Sequence, residues 1–246
     1  MVSQLRIDLG ALAFQSGNRQ EKAAMRAPES HRRENLLLSR IAQGLLGFTM
    51  LAFALKALVH TEVQARYTPL VVFHGAVMLG WLTLLASQAW LAARHRLDLH
   101  RAVGRASIAL VGAMLVSGAI IAVNIGRELG RPEVTVVNIA AFVTFVPLYL
   151  AALHFARRRD MHAHRQAILI GTLALMTPAY ARLVQVAGLP DPVAIAAQVP
   201  ITLAIALGYE WAVLGRLSKP VIAMLGFSLA VIAVMVAALV WLLLHA

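Results

Sequence analysis

The sequence predicts an all-α integral membrane protein, a bundle of seven transmembrane helices, and three observations carry that prediction. Of 246 residues, 60% are hydrophobic and only 13% charged, about half the charged share of a soluble domain. The apolar residues fall into seven runs, each about as long as the roughly 20 helical residues that cross a hydrocarbon core. The 22 Lys and Arg, set against 11 Asp and Glu, gather in short clusters between these runs. Clusters so placed are topology signals rather than a nucleic-acid footprint, so the partner they imply is a lipid bilayer and not nucleic acid. The absence of cysteine excludes disulfides, thiolate metal sites, iron–sulfur clusters and a cysteine nucleophile. Any metal or cofactor is left to histidine, carboxylate or backbone.

Residues 1–35 form a polar cytoplasmic tail ending in the basic stretch His31-Arg32-Arg33. They contain no apolar core followed by a small-residue cleavage site, so they do not read as a secretory signal. Leu5 to Phe14 is weakly amphipathic, but its polarity favours a disordered tail over a surface helix. The seven-helix domain occupies 36–246, with spans at about 36–59, 69–93, 102–126, 134–156, 166–187, 193–215 and 221–244. Breaks are marked chemically by Pro69, by Arg94 with Arg96, by Arg131-Pro132, by Arg157-Arg158-Arg159-Asp160, by Gly188 to Pro192, and by Ser218-Lys219-Pro220. With the tail inside, 17 of the 22 basic residues lie on the cytoplasmic side. That bias puts the N-terminus in the cytoplasm and, with seven spans, the C-terminus in the periplasm.

A charge inside a span is costly and calls for an explanation. Arg40 and Lys56 lie near the ends of the first span and can snorkel to the interface. Arg182 and Glu210 lie about a turn from span ends and read as ordinary interfacial residues. Gln43, Gln88, Gln185 and Gln198 read as interhelical hydrogen-bond glue. Pro147, Pro178 and Pro200 are expected to kink their spans, and the four tryptophans to pack or to sit in the interfacial belt.

The histidines carry more. His60 and His74 belong to the outer side, while His95, His100, His154, His162 and His164 gather at the inner ends of spans two to five. For any one of them an interfacial or hydrogen-bonded histidine is the plainer reading, yet five share one face. At an offset of 64 residues, His100-Arg101 falls on His164-Arg165 and Arg94 on Arg158, so spans two to five read as a weak hairpin repeat. The same offset sets His74 opposite Asn138. His74 and Arg94 are 20 positions apart, about 30 Å along a helix, so His74 cannot share a ligand sphere with the inner group. His100 and His164 start the third and fifth spans at one depth, where two imidazoles facing one another can grip a b-type haem from both sides. Gly104, one turn after His100, leaves room for a porphyrin. Helix N-termini favour the neutral, ligating imidazole. Arg101, Arg105 and Arg165 can hold propionates, although the positive-inside rule accounts for them equally. Asp98 reads as an N-cap or loop carboxylate.

Phe73-His74-Gly75, Gln88, Arg94, the run Leu99-His100-Arg101-Ala102-Val103-Gly104-Arg105, Arg159-Asp160, His164-Arg165 and Arg182-Leu183 together resemble the bacterial membrane proteins grouped as the domain of unknown function 2306 family. The resemblance covers spans two to five. That likeness, with the Ala, Leu and Arg richness, implies a multi-pass protein of the bacterial inner membrane. More distantly, the arrangement is similar to the two-haem transmembrane b-type cytochromes of the ascorbate-reductase kind, in which helices 2 and 4 share one haem and helices 3 and 5 the other. The resemblance implies His100 and His164 as the inner pair and His74 as half of an outer pair. Asn138 stands where the outer partner belongs, unless His60 replaces it.

The leading expectation is a membrane haem b protein of electron transfer, with one haem near the cytoplasmic face and His100 and His164 as its iron ligands. One haem does not span a hydrocarbon core of about 30 Å, so transfer across the membrane calls for a quinone, a redox partner protein or the outer site. A second expectation is a zinc-dependent intramembrane hydrolase built from the inner histidines with Asp98 and Asp160. Against it, no HExxH-type pattern is present, and His162 and His164 point about 200° apart on a helix. The third is a non-catalytic transporter or assembly subunit with interfacial histidines. The sequence does not decide whether the chain is an enzyme.

Overall fold

The computed structural model describes residues 31–128 and 130–245 in full. Residues 2–30, with the amphipathic Leu5 to Phe14 and the tail expected to be disordered, continue the first helix instead, and their side chains lie outside the described residues. The helices are α1 (Val2–Val59), α2 (Pro69–Ala93), α3 (Leu97–Glu128), α4 (Pro132–Arg157), α5 (Met161–Ala174), α6 (Thr177–Val186), α7 (Pro192–Leu214) and α8 (Lys219–His245), with a 3-10 turn over Thr61–Arg66. Seven of the described segments are long and apolar enough to cross a membrane, α5 and α6 counting together as one. The chain is therefore a multi-pass, all-helical membrane protein among the described residues.

Proline opens α2, α4, α6 and α7 at their first turns, where its missing N–H costs nothing. The helices that carry His100 and His164 start at Leu97 and Met161, about five residues earlier than expected from hydrophobicity. Asp160 explains the second start, because its carboxylate accepts from Ala163 N at 3.0 Å. Asp98 caps nothing of the kind. It lies inside the first turn of α3, facing Arg96 at 4.0 Å.

The fifth span is broken between α5 and α6. Pro178 lacks the N–H that would bond Ala174 O, and the chain tightens there with Leu175 N bonding Thr172 O and Met176 N bonding Leu173 O. Gln198 of α7 repairs the break: its Nε2 donates to Leu173 O at 3.2 Å, and its Oε1 accepts from Thr177 Oγ1 at 2.6 Å. Irregular backbone at membrane depth needs such a partner. Pro147 and Pro200, by contrast, lie inside continuous helices.

Packing runs α1 on α2, α2 on α3, α3 on α4 and α4 on α5, with α8 against α4 and α5. At the centre, fully buried Trp81 meets the edges of Phe145 and Tyr149 at ring distances of 5.2 and 5.9 Å. Each polar tip is satisfied: Trp81 Nε1 donates to Thr172 Oγ1 at 3.2 Å, and Tyr149 shares a hydrogen bond with Ser107 at 2.8 Å. This aromatic plug separates two layers of the bundle, one holding His100 and His164 and the other His74.

Candidate functional site: two matched imidazoles

Two helix–turn–helix corners deliver His100 and His164, and they are built alike. In one, Arg94 N bonds Trp90 O, Arg96 N bonds Leu91 O and His100 N bonds Arg96 O. In the other, Arg158 N bonds His154 O, Asp160 N bonds Phe155 O and His164 N bonds Asp160 O. His95 and Arg159 take the left-handed conformation at the same place, with φ of 57° and 61°, the conformation that ends a helix tightly.

The side chains repeat the match. His100 Nδ1 donates to Gln88 O at 3.1 Å and His164 Nδ1 to Ala152 O at 2.9 Å, each reaching back twelve residues to the preceding helix. A carbonyl only accepts, so Nδ1 carries the proton in both rings and Nε2 keeps its lone pair. Metal-bound histidines are commonly held in this way. Both rings are half-buried.

Gly104 leaves space beside His100, since a Cβ there would meet only Gln88 Oε1, at 3.8 Å. The amide nitrogen of that same Gln88 is buried without a protein partner, so the residue is not simple interhelical glue. Arg101 and Arg105 are exposed and form no ion pair among the described residues. Arg165 departs from expectation. It is buried, its Nε donating to Asn35 Oδ1 at 2.7 Å and its Nη1 pairing with Glu34. Two residues read as tail thus clamp α1 to α5 and occupy the guanidinium meant for a propionate.

The other inner histidines do not join this pair. His95 and His154 are exposed. His162 turns away from His164 to Glu210, as its helical spacing requires. Among the described residues, no three His, Asp or Glu side chains gather as a metal ion would need.

On the other layer, His74 Nδ1 lies 2.9 Å from Ser117 Oγ, and His74 Cε1 would be 2.9 Å from a Cβ at Gly118. Neither suggested partner reaches it. Asn138 donates to Val134 O at 2.7 Å within its own helix, and His60 is paired with Glu62 at 3.2 Å.

Glu210 and Arg182 are where the reading of the sequence was too plain. Glu210 is fully buried and accepts from His162 Nε2 at 2.6 Å, Gln166 Nε2 at 2.8 Å and Ser218 N at 2.9 Å. Tyr209 stacks parallel to His162 at 6.3 Å. Arg182 lies 3.9 Å over the Phe53 ring and donates to Pro178 O at 2.9 Å. An acid in an apolar run was the available signal, but its partner His162 is 48 residues away and no local spacing identifies it.

No protein-family model matches the chain, and no curated protein or solved structure matches it either.

Proposed function

We propose that this chain is a membrane b-type haem protein of electron transfer, in which His100 and His164 would hold one haem near the cytoplasmic face. The observation that carries the reading is the matched anchoring of the two rings: each Nδ1–H is spent on a backbone carbonyl of the neighbouring helix, leaving two Nε2 lone pairs at one depth. The residues around them suit the group. Gly104 leaves clearance, the buried Gln88 amide lacks a partner, and Arg101 and Arg105 remain for propionates where Arg165 does not. Haem b bound there supplies one-electron exchange between ferric and ferrous iron. The chain's own part is to fix the two imidazoles as neutral ligands, orient them and keep the aromatic plug of Trp81, Phe145 and Tyr149 between them and the outer layer.

The recurring hydrogen bonds at an offset of 64 residues, with Trp81 and Phe145 at equivalent positions in the core, support a repeat of two hairpins. They are consistent with a relationship to the domain of unknown function 2306 family and to two-haem membrane cytochromes. In this reading the bias of Lys and Arg puts the N-terminus in the cytoplasm and the C-terminus in the periplasm of a bacterial inner membrane. With His74 lacking a second ligand, electrons reach the site from a quinone or a redox partner protein. The zinc-dependent hydrolase is the weaker reading, because its ligands do not gather.

The test is the visible spectrum of the detergent-purified protein before and after dithionite. A Soret band with sharp reduced α and β bands, lost in His100→Ala and in His164→Ala, supports the proposal. A colourless protein with stoichiometric zinc favours the hydrolase, and one with neither returns the chain to the class of non-catalytic membrane subunits.

A further inference from the structure

The layer that holds His74 contains a cavity of about 260 Å³ between α1, α2 and the α5–α6 break. Its walls are aromatic and sulfur-rich, with Phe53, Trp81, Met78 and Met176 among them, and His74 and Gly75 on one side. Met50, also in the wall, is 55% exposed on the bundle's outer surface, so the cavity communicates with lipid rather than with water.

Polar groups in the wall are satisfied inside the protein, with one exception. Thr49 Oγ1 donates to Leu45 O at 2.8 Å, and Thr172 Oγ1 donates to Ile168 O at 2.8 Å while accepting from Trp81 Nε1. Ser117 Oγ gives its proton to Ala113 O at 2.6 Å, so the 2.9 Å contact with His74 is a donation from His74 Nδ1 to Ser117 Oγ. His74 Nε2 is then an acceptor with no partner in the protein. Gly118 makes this posture possible, since a Cβ there would press on the ring at 2.9 Å.

A site of this kind recognises a flat apolar ring that carries one hydrogen-bond donor. Thioethers and aromatic edges favour a ring over an alkyl chain. An acyl chain would also leave Nε2 unpaired in apolar surroundings, at about 1–3 kcal/mol. We propose that this cavity binds the ring of a lipid-soluble phenol of the hydroquinone class, its hydroxyl donating to His74 Nε2. The inference does not rest on the haem reading, because no residue of the cavity belongs to the His100–His164 pair.

Titration calorimetry under argon tests it on the full-length protein in detergent, with decylhydroquinone and with decylbenzene, which keeps the ring and tail but has no hydroxyl. The hydroquinone is expected to bind saturably and roughly tenfold tighter, the worth of one hydrogen bond. His74→Leu should bring its affinity down to that of decylbenzene. Gly75→Leu, placed where a Cβ meets nothing within 4 Å, should fill the cavity and abolish both. Equal affinities of the wild type for the two probes overturn the proposal, as does unchanged hydroquinone binding in either variant. If neither variant folds, the comparison of probes on the wild type still decides. A colourless preparation that discriminates the probes retains this site while losing the haem reading.

Discussion

Gly118 has no room for a methyl group: a Cβ there would sit 2.6 Å from Phe142 Cζ and 2.9 Å from His74 Cε1. Gly118→Ala should therefore cost about 1–3 kcal/mol of overpacking, read as a fall in detergent melting temperature, while leaving any spectrum due to His100 and His164 unchanged. The larger effect belongs to Glu210. Removing its carboxylate takes the acceptor from His162 Nε2 and Ser218 N and leaves Gln166 Nε2 only its 3.2 Å bond to Ala206 O, so Glu210→Ala should destabilise by about 3–5 kcal/mol. Loss of less than 1 kcal/mol in a denaturant titration would mean that the network is slack. Single residues are also where the sequence was least legible. His100 and His164 stood out because each starts a span, and a span start is visible in one dimension. Arg165 looked identical to Arg101 because its partners, Glu34 and Asn35, lie some 130 residues away.

At the scale of elements, the loops carry their own fastening. Arg131, between α3 and α4, donates to Glu133 Oε1 and Asp191 Oδ2, both at 2.7 Å, and Gln185 donates to Asp191 Oδ1 at 2.7 Å. Burial alone would raise the Asp191 pKa, but the hydrogen bonds from Arg131 and Gln185 outweigh it and hold the carboxyl below its usual range. A carboxylate lowered in the folded state stabilises fully above its unfolded pKa, and that contribution disappears as pH falls through the folded value. The groups are more than a third exposed, so solvent screening limits the pair to about 0.2–1 kcal/mol. Melting curves from pH 7 to pH 3 should show wild type above Asp191→Asn at neutral pH and the two converging in acid. A constant gap across that range would contradict the assignment. Element boundaries marked by proline or basic clusters were legible, because those residues act through their immediate neighbours. The split of the fifth span was only half legible: Pro178 announced a bend, but the short 3-10 join and its repair by Gln198 depend on a helix that follows later.

Over the whole molecule, the seven spans could be read because hydrocarbon thickness imposes a length and composition that no tertiary contact revises. The grouping of histidines on one side was readable for the same reason, as depth follows from position along a span. Rotation about each helix axis does not follow, and rotation decides which imidazoles meet. It sends His162 to Glu210, leaves His95 and His154 exposed, and brings His100 and His164 to matched anchors. It also leaves His74 without a second histidine among the described residues, beside a cavity that depends on how three separate helices rotate and so has no one-dimensional signal. The most direct measurement of the central claim is the haem content of the purified chain by the pyridine haemochrome assay, set against protein concentration. One haem per chain, retained in His74→Ala and absent from the His100→Ala and His164→Ala variants, is the predicted result. Two haems per chain, none, or one that survives the loss of His100 and His164 would contradict it.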